Sequence, residues 1–169
     1  MKCHAKTLRT PVGNLILAAT DKAVVALVWE KDGLGRLDLQ PEKAGASCPM
    51  LEEAEKQLGE YFRGARDRFD LPFELKGTEF QMRVWNELRK IPFGETWSYR
   101  ELAERVGNPG AVRAVGSANG RNPVSIFIPC HRVVRTGGEL GGYGGGLENK
   151  AFLLDLENGR KPKPAGGKR

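Results

Sequence analysis

The residue pair most capable of covalent chemistry in this sequence is Cys130-His131, within the run Ile128-Pro129-Cys130-His131-Arg132-Val133-Val134. A thiol beside the one imidazole in its half of the chain has the pattern of a nucleophile with a general base. The plainer alternative is a buried cysteine packed as a small apolar residue. In an extended segment neighbouring side chains point to opposite faces, so coupling the two requires a turn or an intervening water. A base of this kind also needs a third group to orient it. Glu157, at the end of the helical stretch Leu147–Leu156, is the candidate.

The other two cysteines support no metal reading. Cys3, Cys48 and Cys130 form no CxxC pair, and Cys3-His4 offers two zinc ligands with nothing evident to complete a tetrahedron. No metal is expected. An odd, sparse set of cysteines also argues against a disulfide framework and for a reducing interior. No apolar run approaches the ~20 residues of a membrane helix. The N-terminal Met1-Lys2-Cys3-His4 leads into strand alternation and not a signal-peptide block, so neither membrane insertion nor export is expected.

Positioning a reactive pair near the C-terminus of 169 residues falls to two unlike halves. Residues 1–76 read as an α/β unit. The alternating stretch His4–Thr10, a turn at Pro11–Asn14, Leu15–Thr20, a tight turn at Asp21-Lys22 and the apolar Ala23–Trp29 make an antiparallel meander. Lys31–Ser47 reads as loop, Pro49–Gly64 as an amphipathic helix, and Phe69–Leu75 as one more strand. The boundary is placed at Lys76-Gly77-Thr78, where charge balance and glycine usage change.

Residues 77–157 read as mainly helical. Thr78 caps a helix with Phe80, Val84, Trp85 and Leu88 inward, and Ser98-x-x-Glu101 is a capping box for a short helix through Val106. Gly107-Asn108-Pro109-Gly110 breaks the chain before a second helix, Ala111–Asn119, giving a helix-turn-helix outline. Thr136-Gly137-Gly138-Glu139 reads as the hairpin turn of a wing between Arg132–Arg135 and Leu140. Residues 158–169, with Lys161-Pro162-Lys163-Pro164, read as a flexible basic tail that adds weak nonspecific attraction to DNA.

Charge divides along the same line. Residues 1–76 carry 12 basic and 12 acidic side chains, whereas residues 77–169 carry 15 and 9, so the whole excess of +6 lies in the second half. A basic half with a helix-turn-helix outline suits a polyanion, with solvated surface charge as the alternative. In the second helix Ala111, Ala114, Gly116, Ser117 and Ala118 are too short to read base edges in the major groove. Close approach to the minor groove followed by base displacement fits that composition, with Arg113 as the long cation. A small-residue helix packed on a neighbour fits it too.

The run IPCHRVV, preceded by ANGRNPV and followed by GGYGGGLENK, resembles the O6-alkylguanine-DNA alkyltransferase family (methylated-DNA–protein-cysteine methyltransferases), over about Phe80 to Glu157. The resemblance implies a ribonuclease-H-like first domain and a winged helix-turn-helix second domain. It makes Cys130 the alkyl acceptor, His131 a base acting through water, and Glu157 its orienting carboxylate. Tyr99 becomes the donor to the departing guanine, and Arg113 the finger that fills the stack. Asn122 braces the turn before the cysteine, and Lys150 lies near the cysteine carbonyl. The backbone of Cys130, Val133 and Gly144 cradles the base, in a pocket shared with Ser125, Tyr143 and Gly145. Gln81, Arg100, Asn108 and Thr136 match backbone-contact positions.

Gly144 stands where relatives often carry Ser or Ala, which spares a backbone donor. Ser125 stands where some carry proline. The zinc ligands of some members' first domains are absent. The run Gly141–Gly146 lacks the Lys-Ser/Thr ending of a phosphate loop, and close backbone approach to a flipped base is its reading.

The implied chemistry is self-limiting. A free thiol is mostly protonated at neutral pH; a paired His and a helix or cationic setting would raise its thiolate fraction, and the thiolate displaces guanine from a saturated carbon. The thioether product offers water no carbonyl, so each molecule acts once and needs no cofactor. The base must leave the stack to reach the thiol. The expected partner is double-stranded DNA carrying alkylated guanine, met by a monomer in the cytoplasm, or in the nucleus if the source is eukaryotic. Two other readings remain at this level: a cysteine hydrolase or acyltransferase that turns over, and a winged helix-turn-helix regulator with a structural Cys130.

Overall fold

The computed structural model describes residues 1–43 and 45–159. The part of the basic tail from residue 160 onward lies outside the described residues.

The first half is a mixed four-stranded sheet under one helix. β1 (Lys2–Thr10) and β2 (Gly13–Ala19) pair antiparallel with Leu8 opposite Leu15. Their turn is tied by Thr10, whose hydroxyl donates to the Gly13 carbonyl (2.6 Å) and accepts from the Val12 amide (3.1 Å). β3 (Val24–Trp29) continues the antiparallel meander. β4 (Gln40–Pro41), a two-residue strand in the stretch read as loop, pairs parallel with the start of β1. The spatial order is β3-β2-β1-β4. α1 (Pro49–Phe62) buries Leu51, Ala54, Leu58 and Tyr61 at helical spacing.

The strand read over Phe69–Leu75 does not form. Only Phe73 bridges to Val24, because Pro72 can accept from the Val24 amide (2.9 Å) but has no N–H to extend a ladder. All six residues of β3 are nevertheless buried. The segment from Pro123 to Ser125 covers that strand: Leu27 donates to the Pro123 carbonyl (2.9 Å) and accepts from the Ser125 amide (3.0 Å). A piece of the second half thereby completes the sheet edge of the first.

The second half contains α2 (Glu79–Leu88), β5 (Trp97–Ser98), α3 (Tyr99–Arg105), α4 (Val112–Gly120), β6 (Val133–Val134) and α5 (Leu147–Glu157). β5 and β6 pair parallel. Thr78 and Gln81 close a reciprocal capping box on α2, and Ser98 and Glu101 do the same on α3. α3 and α4 form the expected helix-turn-helix. The expected wing hairpin is only a closed turn, with the Arg135 amide donating to the Glu139 carbonyl (2.8 Å) and no strand ladder among the described residues. Gly137 and Gly138 give such a turn no side chains to pair across strands.

One apolar core runs through both halves, joining Leu27, Leu58 and Tyr61 to Trp85, Leu102, Ile128 and Leu153. A smaller cluster of Cys3, Ala18, Val25 and Ala26 is separate from it. Among the described residues no helix is long and apolar enough to cross a membrane.

Candidate active site

The turn that carries Cys130 is built under tension. Asn122 braces it from both sides of its amide: Nδ2 donates to the Ile128 carbonyl (2.8 Å) and Oδ1 accepts from the Val124 amide (3.0 Å). Between them Ile126 sits at φ +75°, a conformation that costs a β-branched residue on the order of 1–3 kcal/mol. Ile126 is buried, and its neighbours Val124 and Ser125 are locked onto β3, so the surroundings can hold the strain.

Cys130, His131 and Arg132 form a single 3₁₀ turn and not the extended segment of the sequence reading. The turn sends the thiol and the imidazole to different environments. Cys130 lines a cleft of about 770 Å³ between α3, α4 and the glycine run, together with Tyr99, Asn122, Ser125 and Tyr143. Its Sγ is 4.0 Å from the Ser125 hydroxyl. His131 is fully buried on the other side, with Nε2 2.6 Å from Glu157 Oε2. Its Nδ1 has no protein partner. No direct thiol–imidazole hydrogen bond forms, as the requirement for an intermediary anticipated.

Glu157 is clamped. Arg132 donates through Nε to Oε1 (2.7 Å) and through Nη2 to Oε2 (3.0 Å), and its Nη1 donates to the Ile91 carbonyl (2.7 Å). This bidentate fork makes the buried ion pair geometrically complete. Tyr61, from α1, donates to Oε2 at 2.6 Å. Burial opposes the charge on Glu157, but the donors from His131 and Arg132 prevail and hold its carboxyl well below the usual range. An ionised carboxylate only accepts, so the proton of neutral His131 resides on Nε2 and Nδ1 is the basic nitrogen. Burial lowers the pKa of His131, and Arg132 and Lys150 act in the same direction against Glu157.

Burial pushes the Cys130 thiol up, against the pull of Asn122, Ser125, Lys150 and Tyr143. The net direction is toward the thiol, so burial outweighs the rise in thiolate fraction expected from a paired histidine and a cationic setting. It is a protected thiol whose proton must leave during reaction. Lys150 is fully buried; burial lowers its pKa to about 8, with Cys130 opposing. Its ammonium donates to the carbonyls of Leu140 and of Gly142 (3.3 Å). The Cys130 carbonyl instead accepts from Asn119 Nδ2 (3.3 Å), so Asn119, read from sequence only as the end of the second helix, holds the place expected of Lys150.

The base cradle also differs from expectation. The Cys130 amide donates to the Ile128 carbonyl (2.8 Å) and the Val133 amide to the Cys130 carbonyl, so both are already used. Val133 is buried outside the cleft, whereas Gly144 lines it. The glycine run packs against the first half. Tyr143 meets Trp29 edge-on (5.5 Å), and a Cβ at Gly145 would lie 2.4 Å from the Trp29 ring. The Tyr99 hydroxyl donates to the Gly142 carbonyl at 3.3 Å.

Arg100 and Thr136 also line the cleft. Arg113 and Ala114 are exposed on α4, Ala111 precedes it half-buried, and Asn108 is exposed in the turn between the two helices. Gln81 spends its side chain on the α2 cap. Asp32 and Arg36 reach the cleft from the first half, with Arg36 Nη1 3.5 Å from the Arg121 carbonyl. No motif marked these two, nor Tyr61, 96 positions from its partner. Arg132 lies inside the reactive motif and was legible there in principle, since a buried carboxylate beside a histidine calls for a cation.

Away from this cleft, His4, Asp21 and Cys48 bring ligand atoms within 4.8 Å of one another, with Asp21 exposed. Cys3 belongs instead to the small separate core cluster, so the Cys3-His4 pair does not form a common site.

Two family models cover the chain: the 6-O-methylguanine DNA methyltransferase ribonuclease-like domain over residues 3–75, and the DNA binding domain of the same name over residues 79–159. The methylated-DNA–protein-cysteine methyltransferase of Mycolicibacterium paratuberculosis is 45% identical, with 93% of each chain covered. The constitutive one of Bacillus subtilis is 45% identical over 89% of this chain and 93% of its own. The crystal structure of Mycobacterium tuberculosis OGT in complex with DNA superposes with a TM-score of 0.83 at 44% identity, with 96% of each chain covered.

Proposed function

Since the chain belongs to the 6-O-methylguanine DNA methyltransferase family and acts as a methylated-DNA–protein-cysteine methyltransferase, we propose that Cys130 is the acceptor in a single-turnover reversal of O6-alkylguanine damage. The observation that carries this reading is the division made by the 3₁₀ turn: a thiol on an open cleft, and directly behind it a sealed neutral imidazole held by an ion-paired carboxylate.

The steps follow from the groups present. α4, with its small exposed side chains, enters the minor groove, and Arg113 fills the gap left by the displaced nucleotide. The target base occupies the cleft between Tyr99, Ser125 and Tyr143, with Arg100 and Thr136 on the neighbouring backbone. The Cys130 proton passes through water to His131 Nδ1, and the imidazolium that forms is stabilised by Glu157. Sγ then attacks the alkyl carbon. The S–C bond forms as the C–O bond breaks, its electron pair moves into the guanine, and Tyr99 supplies the proton that neutralises the leaving base; Tyr99 then regains a proton, and His131 loses the one it took, by exchange with water. The stable thioether ends the reaction. The place of action is wherever the DNA is, the cytoplasm or a nucleus.

The competing readings lack support at the same atoms. A hydrolase needs donors for an oxyanion beside its nucleophile, and the Cys130 amide is committed to Ile128. A purely structural cysteine has no need to line the cleft beside the helix-turn-helix. The deciding experiment mixes the protein with excess duplex containing labelled O6-methylguanine. One equivalent of label on Cys130 and no further turnover is expected; continuous product release, or label elsewhere, overturns the reading.

A further inference from the structure

The carboxylate behind His131 is gripped from the first half of the chain as well as the second. Glu157 Oε2 accepts from His131 Nε2 (2.6 Å), from Arg132 Nη2 (3.0 Å) and from the Tyr61 hydroxyl (2.6 Å). Tyr61 is 1% exposed, in the last turn of α1, with its ring edge-on to Phe62 and Phe93 and tilted on Phe69. Its surroundings are therefore aromatic except at the hydroxyl, and a buried phenol aimed at one acceptor is an oriented donor. We propose that Tyr61 is a positioning residue for alkyl transfer, fixing Glu157 and drawing charge from Oε2 so that His131 remains neutral and able to take the thiol proton. The proposal rests on the relay of Cys130, His131 and Glu157 described above.

The sign of the effect follows from the charges around the imidazole. Glu157 favours imidazolium, whereas Arg132 and Lys150 disfavour it. Cys130 and Tyr143 stand on the cleft side, and Tyr143 also senses Tyr61 and Glu157. A hydrogen bond to a carboxylate lowers the charge it presents to a neighbour. Loss of the Tyr61 hydroxyl therefore leaves Oε2 more basic and draws His131 toward the protonated form, in which it cannot act as the base. Packing alone does not require this hydroxyl: the rest of the buried α1 face is Leu51, Ala54, Gln57 and Leu58, and only Tyr61 reaches the relay. The sheet half thereby acts on the proton transfer itself, through a contact that exists only when the two halves are docked.

The test measures single-turnover transfer from an O6-methylguanine duplex between about pH 5.5 and 9 in the full chain. It compares wild type, Tyr61→Phe, Glu157→Gln and a protein with 3-fluorotyrosine, a stronger donor, at position 61. The imidazole ¹⁵N signals are titrated in parallel; the chain has 2 histidines, so a His4→Gln variant assigns them. For Tyr61→Phe the acid limb and the His131 titration should both move up by roughly half to one pH unit, slowing transfer about three- to tenfold at pH values below the wild-type midpoint while sparing the alkaline plateau. Fluorotyrosine should move both the other way. A folded Tyr61→Phe protein with an unmoved limb and an unmoved His131 titration overturns the proposal. So does a uniform loss at every pH with His131 unshifted, which marks mere packing. If Tyr61→Phe does not fold, the shape-preserving fluorotyrosine protein decides: an unmoved limb overturns the proposal. Wild-type behaviour of Glu157→Gln would instead bring down the relay, a distinguishable result.

Discussion

The two sides of the 3₁₀ turn at Cys130–Arg132 differ in what they border, although Cys130 and His131 are both buried. In front, the cleft is open and lined by glycine backbone and by side chains of α3 and α4, with Cys130 its one thiol. Behind, His131, Arg132, Glu157 and Tyr61 are buried, and among their side-chain polar atoms only His131 Nδ1 has no protein partner. The front is made for a guest and the back for permanence. A general base that must stay neutral gains from burial, while a nucleophile that must meet a DNA base cannot be sealed. One turn of helix separates these demands, which neighbours on a strand could meet only by facing opposite layers of a sheet.

The sharpest break of this contrast is at the front. Cys130→Ser should abolish alkyl transfer while retaining binding of lesion-bearing duplex, since the hydroxyl is a far poorer nucleophile and nearly the same size. Mass spectrometry of the lesion-treated protein and a mobility-shift assay read the two outcomes. Retained transfer would move the nucleophile elsewhere. At the back, Glu157→Gln should slow transfer about 10²–10⁴-fold, the range for loss of general-base function. Leaving the buried Arg132 charge unpaired should also destabilise the fold by roughly 3–5 kcal/mol. The pH signature has a definite sign. The carboxyl of Glu157 is depressed in the folded state, so its stabilisation is complete above the ordinary carboxylate range and fades as pH falls through the folded value. Denaturant melts should therefore show a flatter acid branch in Glu157→Gln than in wild type.

The front was far more legible in sequence than the back. The Cys130-His131 pair, the Thr78 cap, the Ser98–Glu101 capping box and the glycine run are local patterns, and the two caps form at the residues read for them. Glu157 was found only because a base needs an orienting group and a carboxylate ended the last helix. Tyr61 could not be found: nothing in Glu60-Tyr61-Phe62 distinguishes a core tyrosine from one that donates to a group 96 residues away. The failed strand at Phe69–Leu75 is the opposite case. Its apolar alternation was read correctly, but Pro72 limits pairing to one bridge, and its aromatic rings pack on Phe127 instead. Lys150 shows a third kind of limit. Its nearness to the Cys130 carbonyl was implied by the resemblance, but whether it or Asn119 bonds that carbonyl depends on angles between helices that no spacing encodes.

The seam between front and back runs through Gly145. A Cβ there would lie 2.4 Å from the Trp29 ring, whose Nε1 is pinned to the Val12 carbonyl at 2.9 Å. Gly145→Ala should therefore cost about 1–3 kcal/mol of stability and push the glycine run off the first half, displacing Tyr143. Thermal melts combined with transfer assays check this. The expected pattern is an appreciable loss of stability with a smaller loss of transfer than in Glu157→Gln, since the relay behind the turn is untouched. Equal or greater loss of transfer would show that the cleft wall, and not the relay, dominates the rate.

Arg113→Ala should have the smallest effect, and it probes the outermost part of the front. Arg113 is exposed in the first turn of α4, so its removal leaves the fold intact within about 0.5 kcal/mol. If it fills the stack after a nucleotide is displaced, its loss raises the cost of displacement, on the order of tenfold in transfer from duplex, and changes nothing for free O6-methylguanine, which has no stack to restore. A phosphate contact would behave differently: binding would weaken across sequences and its salt slope would fall by about one. Measuring transfer from duplex and from free base at two salt concentrations separates the roles. Equal losses on both substrates would place Arg113 in the cleft's own chemistry, contrary to its exposed position on the helix.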